Sequence, residues 1–328
     1  MAVGLVARAQ PPVALLSVII PAHNAQTTIG PAFAGLADQT FHGDWEVIVV
    51  DNASNDATAS LATASPVVSQ LVRIAGGGPA GSRNAGAAVA RGENLAFLDA
   101  DCRPTKSWLT AGVRALEHAD LVQGATLPDP DQRIGPFDRT LSVGGWTGLY
   151  ESANLFMRRG LFDRIGGFQP WVGVGSENAR PFGEDVRFGW QAQRLAARIC
   201  FCAQALVYHA VFPRAVFAYV SERVRARHFA ELARAVPELR EHFFYRRCFL
   251  SERTAAFDLA LIGCLLGVVS RQPLAATAIA PYARRLMRHG SRTGLRRAPK
   301  IIAADLAADS VGFVSLVIGS ASSRSLVL

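Results

Sequence analysis

Four short, β-branched apolar runs recur through the first hundred residues: LLSVII (15–20), WEVIVVD (45–51), LVRI (71–74) and LAFLD (95–99). Each is bounded by turn residues. The stretches between them, 26–39, 55–64 and 80–91, carry helical spacing, with Ser54 or Asn55 available to cap the second. Strands alternating with helices predict β-α-β units and a mostly parallel sheet flanked by helices, an α/β fold with Rossmann-like organisation. In such sheets ligands bind beyond the carboxyl ends of the strands. Pro21, Ala22 and Asn24 lie at the end of the first run, Asp51 ends the second, and Asp99, Ala100 and Asp101 leave the fourth. One crevice is therefore expected to gather all of them.

A chain of 328 residues, half of them hydrophobic, buries one large core or two smaller ones. The five cysteines (Cys102, Cys200, Cys202, Cys248, Cys264) form no C-x-x-C pair, which argues against a disulfide-built secreted domain and for a cytoplasmic location. The N-terminal stretch lacks a basic segment before its apolar run and is read as a tail (1–13) leading into a strand, not as an export signal. The net charge of +8 is uneven: residues 205–300 hold 17 Arg/Lys against 6 Asp/Glu. A basic back half suggests an anionic partner, above all a membrane surface, although a solvated basic face has the same composition. No nucleic-acid-binding signature accompanies the charge.

Two carboxylates at positions i and i+2 of a strand exit repel one another unless a cation stands between them. Asp99 and Asp101 are placed to share Mn²⁺ or Mg²⁺, which take oxygen ligands and are commonly held by one or two carboxylates plus substrate phosphates. D-x-D alone is a weak pattern, and an Asp-rich turn that caps the next helix also satisfies it.

Further segments change that balance. SVIIPAHNA, VIVVDNASNDAT, GPAGSRNAGAAVARGENLAFLDADCRP, SANLFMRRGLFDRIGGFQP, GEDVRFGWQAQR and VYHAV occur in this order between residues 17 and 211. In that order and spacing the chain resembles the family 2 glycosyltransferases, inverting enzymes of the GT-A fold that move a sugar from a nucleotide donor. The resemblance implies that Asp51 binds the nucleobase, uracil, within a frame made by Pro21, Ala22 and Asn24. It implies that Arg83 lies near the base or phosphates, and that Asp101 and His209 hold the metal while Asp99 and Ala100 border the ribose or the metal's water. Asp185 becomes the general base on the acceptor hydroxyl, with Glu184 beside it; a Glu-Asp pair opening a helix also serves the helix dipole. SANLFMRRGLFDRIGGFQP falls on the acceptor side.

Some positions depart from the family pattern. Arg187 and Gln191 stand where many relatives carry an acid and an arginine. Gln191–Leu195 only imitates the Q-x-x-R-W of processive synthases, so a single-addition enzyme is expected. The competing readings are a retaining transferase of the same fold, a sugar-phosphate nucleotidylyltransferase, and a non-catalytic nucleotide-sugar binder. The catalytic domain is expected over 14–215 and a helical, basic C-terminal region over 216–328. Its longest uninterrupted apolar run, 259–269, is short for a bilayer span and reads as an interfacial or core helix. The expected partners are a UDP-sugar donor, a hydroxyl acceptor of the lipid-linked or cell-envelope glycan type, and the cytoplasmic face of an anionic membrane.

Overall fold

The computed structural model of the protein describes residues 16–169, 182–271, 277–291 and 298–328. The tail expected over 1–13 lies outside them. The elements run β1 (Leu16–Ala22), α1 (Ile29–Ala37), β2 (Trp45–Asn52), α2 (Thr58–Ala64), β3 (Gln70–Ile74), α3 (Gly78–Val89), β4 (Asn94–Leu98), β5 (Cys102–Pro104), α4 (Trp108–Leu116), β6 (Leu121–Pro128), β7 (Asn154–Arg158), α5 (Arg159–Ile165), α6 (Glu184–Arg194) and β8 (Ile199–His209). Then come α7 (Val216–Ser221), a 3-10 segment (Glu222–Arg227), α8 (His228–Ala235), α9 (Leu239–His242), α10 (Glu252–Ser270), α11 (Ala280–Ser291) and α12 (Ala298–Ser323). The chain divides into two compact units, one of Met1–Thr126, Glu151–Pro170 and Ala192–Tyr208, the other of Leu127–Tyr150, Trp171–Gln191 and His209–Leu328.

The first unit is built on the sheet, whose strand order is β3-β2-β1-β4-β7-β6-β8-β5. β3, β2, β1 and β4 are parallel; β7 reverses, running antiparallel to both β4 and β6. The continuous apolar runs have a simple cause. Every residue of β4 is buried, and so are all but one of β1, which is what strands covered on both faces require. α3 lies on β1 and β2, and Gly86 lets it approach: a Cβ there would stand 2.5 Å from Ile19 Cγ2. The order places β1 between β2 and β4, so the chain changes direction across the sheet at β1/β4, and a switch point of this kind opens a crevice at the carboxyl ends.

Buried polar groups staple this sheet. Asn154 on β7 is fully buried; its Oδ1 accepts from Trp108 Nε1 and its Nδ2 donates to the carbonyls of Ala125 and Ala205, each at 2.8 Å. Glu46 on β2 is 4% exposed. It accepts from Ser17 Oγ at 2.7 Å, from Arg91 N at 2.7 Å and from Arg91 Nε at 2.9 Å.

The second unit contains the C-terminal helices. Ala256, Phe257 and Ala260 of α10 form an apolar core with Tyr282 of α11, joined by Leu286 and Phe313. A charged network crosses the same helices. Asp305 of α12, 1% exposed, accepts from Tyr219 Oη at 2.7 Å, His289 Nδ1 at 2.6 Å and Arg253 Nη2 at 2.9 Å. Asp309 accepts from Arg253 Nε at 2.8 Å and Tyr282 Oη at 2.7 Å. The apolar run at 259–269 forms the C-terminal part of α10. α10 continues back to Glu252 because Arg253 is matched by two aspartates and because Ser251 and Thr254 form a reciprocal capping box. α10, with 19 residues, and α12, with 26, are both long and apolar enough to cross a membrane by length and composition alone.

Glu46 supplies a test of the sheet's polar staples. Burial would raise its pKa, but the Arg91 backbone N–H, the Ser17 hydroxyl and the Arg91 guanidinium together hold it below the ordinary 4.5. Its stabilisation is therefore present above about pH 4.5 and is lost as pH falls through the lowered folded value. Glu46→Gln is expected to destabilise the protein by about 1–3 kcal/mol at pH 7. Urea melts across pH should show the gap to the unsubstituted chain closing in acid.

Candidate active site

In the first unit the carboxyl ends of β1 and β2 lead into two loops that are bonded to one another. His23 Nδ1 lies 2.7 Å from the Asn52 carbonyl. Asn24 N donates to Ser54 Oγ at 3.0 Å, and Asn24 Oδ1 accepts from Asn55 N at 3.0 Å. Ala25 N donates to Thr58 Oγ1 at 2.7 Å, Gln26 N to Asp56 Oδ2 at 3.1 Å, and Ala57 N to Gln26 Oε1 at 3.1 Å. Ser54 and Asn55 are thus not helix caps. α2 starts only at Thr58, behind Ala57, with no side-chain cap, and the two residues serve the loop opposite. Pro21 and Ala22 pair in register with Val50 and Asp51, which sets Asp51 directly beside the end of β1. Asp51 is fully buried; it accepts from Ser54 N at 3.2 Å and from Arg73 Nε at 3.2 Å.

The fourth strand ends in a tight turn. Cys102 N donates to the Asp99 carbonyl at 3.0 Å, which puts Asp99, Ala100 and Asp101 on one reversal of the chain. Asp99 is 31% exposed in its side chain and accepts from Nη2 of Arg83 at 2.7 Å. Arg83 itself is 4% exposed and lies over the Phe168 ring, 5.5 Å from its centroid. Its neighbour Asn84 exchanges two bonds with the Phe168 backbone, at 2.7 and 2.8 Å. The structure therefore brings Arg83 to the D-x-D turn, and a guanidinium offsets one of the two like charges. Cys102, buried behind the turn, has its thiol pKa pushed well up by burial and by the charges of Asp101 and Asp99, so it is an inert thiol.

The second unit holds the Glu-Asp pair of the sequence reading, whereas the acceptor-side segment beginning at Ser152 lies in the first. Glu184 and Asp185 form the first turn of α6, where a helix dipole interacts favourably with carboxylates. Asp185 Oδ1 accepts from Val186 N at 2.9 Å. Four residues on, Gly189 meets Tyr150: a Cβ there would stand 2.0 Å from the ring's Cγ. Trp190 Nε1 donates to the Gly148 carbonyl at 2.9 Å. With Trp146 and His242 it completes an aromatic cluster, the Trp146–His242 and Trp190–His242 centroids both 5.3 Å apart.

His209, 9% exposed, ends β8. Its Nδ1 lies 2.6 Å from the Ala210 carbonyl. Leu141 N donates to the same nitrogen at 3.4 Å. Carboxylate oxygens and imidazole nitrogens are both donors that divalent cations such as Mn²⁺ take. Among the described residues, no group of three or more His, Cys, Asp or Glu side chains converges as a ready-made metal site.

Sequence reasoning missed Gln26, Asp56 and Thr58 in the laced loops, and the Trp146–Tyr150–Trp190–His242 cluster. The density of Asn, Ser, Asp and Thr in DNASNDAT was a signal for the former; nothing periodic marked the latter.

Residues 17–169 match the family model described as Glycosyl transferase family 2. Glycosyltransferase AglE of Haloferax volcanii is 27% identical over 259 residues, covering 64% of this chain and 85% of that protein. The UDP-Glc:alpha-D-GlcNAc-diphosphoundecaprenol beta-1,3-glucosyltransferase WfgD of Escherichia coli is 35% identical over 89 residues, 26% of this chain and only 35% of its own length. Among solved structures, the mannosyltransferase PcManGT of Pyrobaculum calidifontis, in complex with GDP-Man and Mn2+, is similar at a TM-score of 0.55. It is 23% identical, and the match covers 91% of this chain and 87% of that one. That likeness is one of fold, and it agrees with the α/β architecture expected from the sequence.

Gly189→Ala tests the seat of α6. The new methyl overlaps ring carbons of Tyr150, so the substitution should cost about 1–3 kcal/mol despite alanine's better helix propensity. Adding Tyr150→Phe, which keeps the ring, should not restore the melting temperature.

Proposed function

We propose that the chain, whose residues 17–169 match the Glycosyl transferase family 2 model, is an enzyme of that family and transfers one sugar from a UDP-sugar, with inversion, to a hydroxyl of a lipid-linked or cell-envelope glycan. The observation that carries this reading is the D-x-D turn at the β1/β4 switch point. There a buried arginine is matched to Asp99, and Asp101 follows two residues later.

In this mechanism Asp51 accepts from the uracil N–H, a role supported by its place at the end of β2 beside the laced loops. Arg83 offsets the charge of Asp99 and lends positive potential to the region where the diphosphate leaves. Asp101 would hold Mn²⁺ or Mg²⁺, and such a cation would supply charge for the departing nucleoside diphosphate. Asp185 takes the proton of the acceptor hydroxyl as that oxygen attacks the anomeric carbon from the face opposite the leaving group. Glu184 stands beside it in the same helical turn. The absence of a Q-x-x-R-W sequence after Asp185 supports a single addition per encounter. A relative whose name specifies UDP-glucose and a lipid diphosphate acceptor lends further support. The basic, apolar C-terminal helices favour peripheral attachment to the cytoplasmic face of a membrane over free diffusion, and the catalytic boundary at about residue 215 is kept as part of the same proposal.

Separate variants divide binding from chemistry. Asp101→Ala should weaken Mn²⁺-supported UDP binding and turnover together. Asp185→Asn should keep UDP affinity and lower kcat by about 10²-fold or more. Calorimetric titration should also rank UDP above GDP and ADP. Unchanged turnover in Asp185→Asn removes it as the base and favours a retaining reaction, and preference for a purine diphosphate overturns the uracil assignment.

Membrane attachment predicts co-sedimentation with vesicles containing phosphatidylglycerol at low salt. It should weaken in 1 M salt, where charges are screened beyond about 3 Å. Protein left in the supernatant at low salt refutes it.

A further inference from the structure

The turn before α10, the first half of α10 and α11 enclose a groove of about 850 Å³ in the second unit. Helical spacing explains its walls. Pro281, Arg284, Arg285, Arg288 and His289 recur every three to four residues on one face of α11. Tyr282 and Leu286, on another face, enter the apolar core. Glu252, Ala255, Ala256 and Leu259 form the facing stripe of α10, and Tyr245, Arg246 and Phe249 close the end.

The charged lining is four arginines, one histidine and a single carboxylate. Glu252 is engaged by Arg285 at 2.5 Å, and His289 is turned to Asp305 at 2.6 Å. Among the described residues, no carboxylate of the lining remains to offset Arg246, Arg284 and Arg288. Several guanidiniums converging on one chamber form the donor array that phosphate oxygens match best.

The way out of the chamber is apolar. The α10 stripe that supplies Glu252 and Leu259 continues at helical spacing through Ile262 and Leu266. Leu259, Ile262 and Leu266 are 45%, 54% and 55% exposed. Leu265, Val268 and Val269 beside them are more exposed still. A basic chamber opening onto an uncovered apolar stripe is complementary to a molecule with a phosphate head and a hydrocarbon tail. A nucleic acid would need positive charge repeated along a track, whereas this path runs onto bare leucine, isoleucine and valine.

We propose that this groove binds the phosphate or diphosphate of a membrane lipid, the headgroup among Arg246, Arg284 and Arg288 and the chain along Leu259, Ile262 and Leu266. The inference rests on the membrane-peripheral reading above and adds to it a single-molecule headgroup site.

Calorimetry on the full chain tests it with three probes: farnesyl diphosphate, farnesol with the same tail and no head, and inorganic pyrophosphate with the same head and no tail. Farnesyl diphosphate should bind at least about tenfold more tightly than either part. Arg284→Ala/Arg288→Ala and Leu259→Ser/Ile262→Ser should each weaken it by about tenfold or more, while helical circular dichroism and UDP affinity stay unchanged and report an intact fold. Pyrophosphate binding as tightly as farnesyl diphosphate overturns the proposal in favour of a free-phosphate site. Tighter binding of a single-stranded oligonucleotide overturns it in favour of nucleic acid. UDP binding without farnesyl diphosphate binding overturns the lipid site alone and leaves the transferase reading standing. Farnesyl diphosphate binding without UDP binding does the reverse.

Discussion

A buried guanidinium cannot stand unmatched, and the neighbourhood of Arg83 is arranged around that constraint. The ion pair with Asp99 fixes α3 to the end of β4. The Phe168 ring beneath the guanidinium and the Asn84–Phe168 bonds bring the segment after α5 to the same place. Removing either charge would leave the other buried or facing a like charge, so the pair is more costly to break than to keep. The turn at the end of β4 is thus fixed by one electrostatic match.

The second unit answers the same constraint differently. Asp305 and Asp309 sit on an otherwise apolar helix, and each is balanced by groups from other helices: Arg253 of α10, Tyr219 of α7, and Tyr282 and His289 of α11. Burial works against these charges; the paired donors hold Asp305 below its ordinary range all the same. Apolar packing of Phe257 and Tyr282 would tolerate small slips between helices, whereas a multiply bonded carboxylate does not. The network therefore defines the relative register of α10, α11 and α12. By contrast, Asp258, buried on α10 with its Oδ2 unmatched, has its pKa pushed up to about 6 by burial.

What could be read from the sequence followed from how local its cause was. The strands were legible because Val18–Ile20 and Val47–Val50 are buried on both faces, and double burial writes itself as an unbroken apolar run. Asp51, Asp99 and Asp101 were legible as strand endings. The partner of Asp99 was not: nothing within the D-x-D says that an arginine sixteen residues earlier will meet it. The partners of Arg253 were hidden for the same reason, since Asp305 and Asp309 arrive from more than fifty residues away. Ser54 and Asn55 have the chemistry of helix caps, yet their partners lie on the other loop, a competition that local propensity cannot resolve. The aromatic cluster is set by Gly189 admitting Tyr150, a contact between residues on separate segments.

The laced loops at the ends of β1 and β2 have one more consequence. Ordering a free loop costs about 1–2 kcal/mol of backbone entropy per residue. Here that ordering is completed during folding, through bonds that run from His23 to Gln26 on one side and from Asn52 to Thr58 on the other. A donor at the proposed site would meet loops already bonded to one another. Association there should follow lock-and-key kinetics, a single diffusional phase whose rate climbs linearly with ligand concentration and shows no plateau from a slow loop rearrangement.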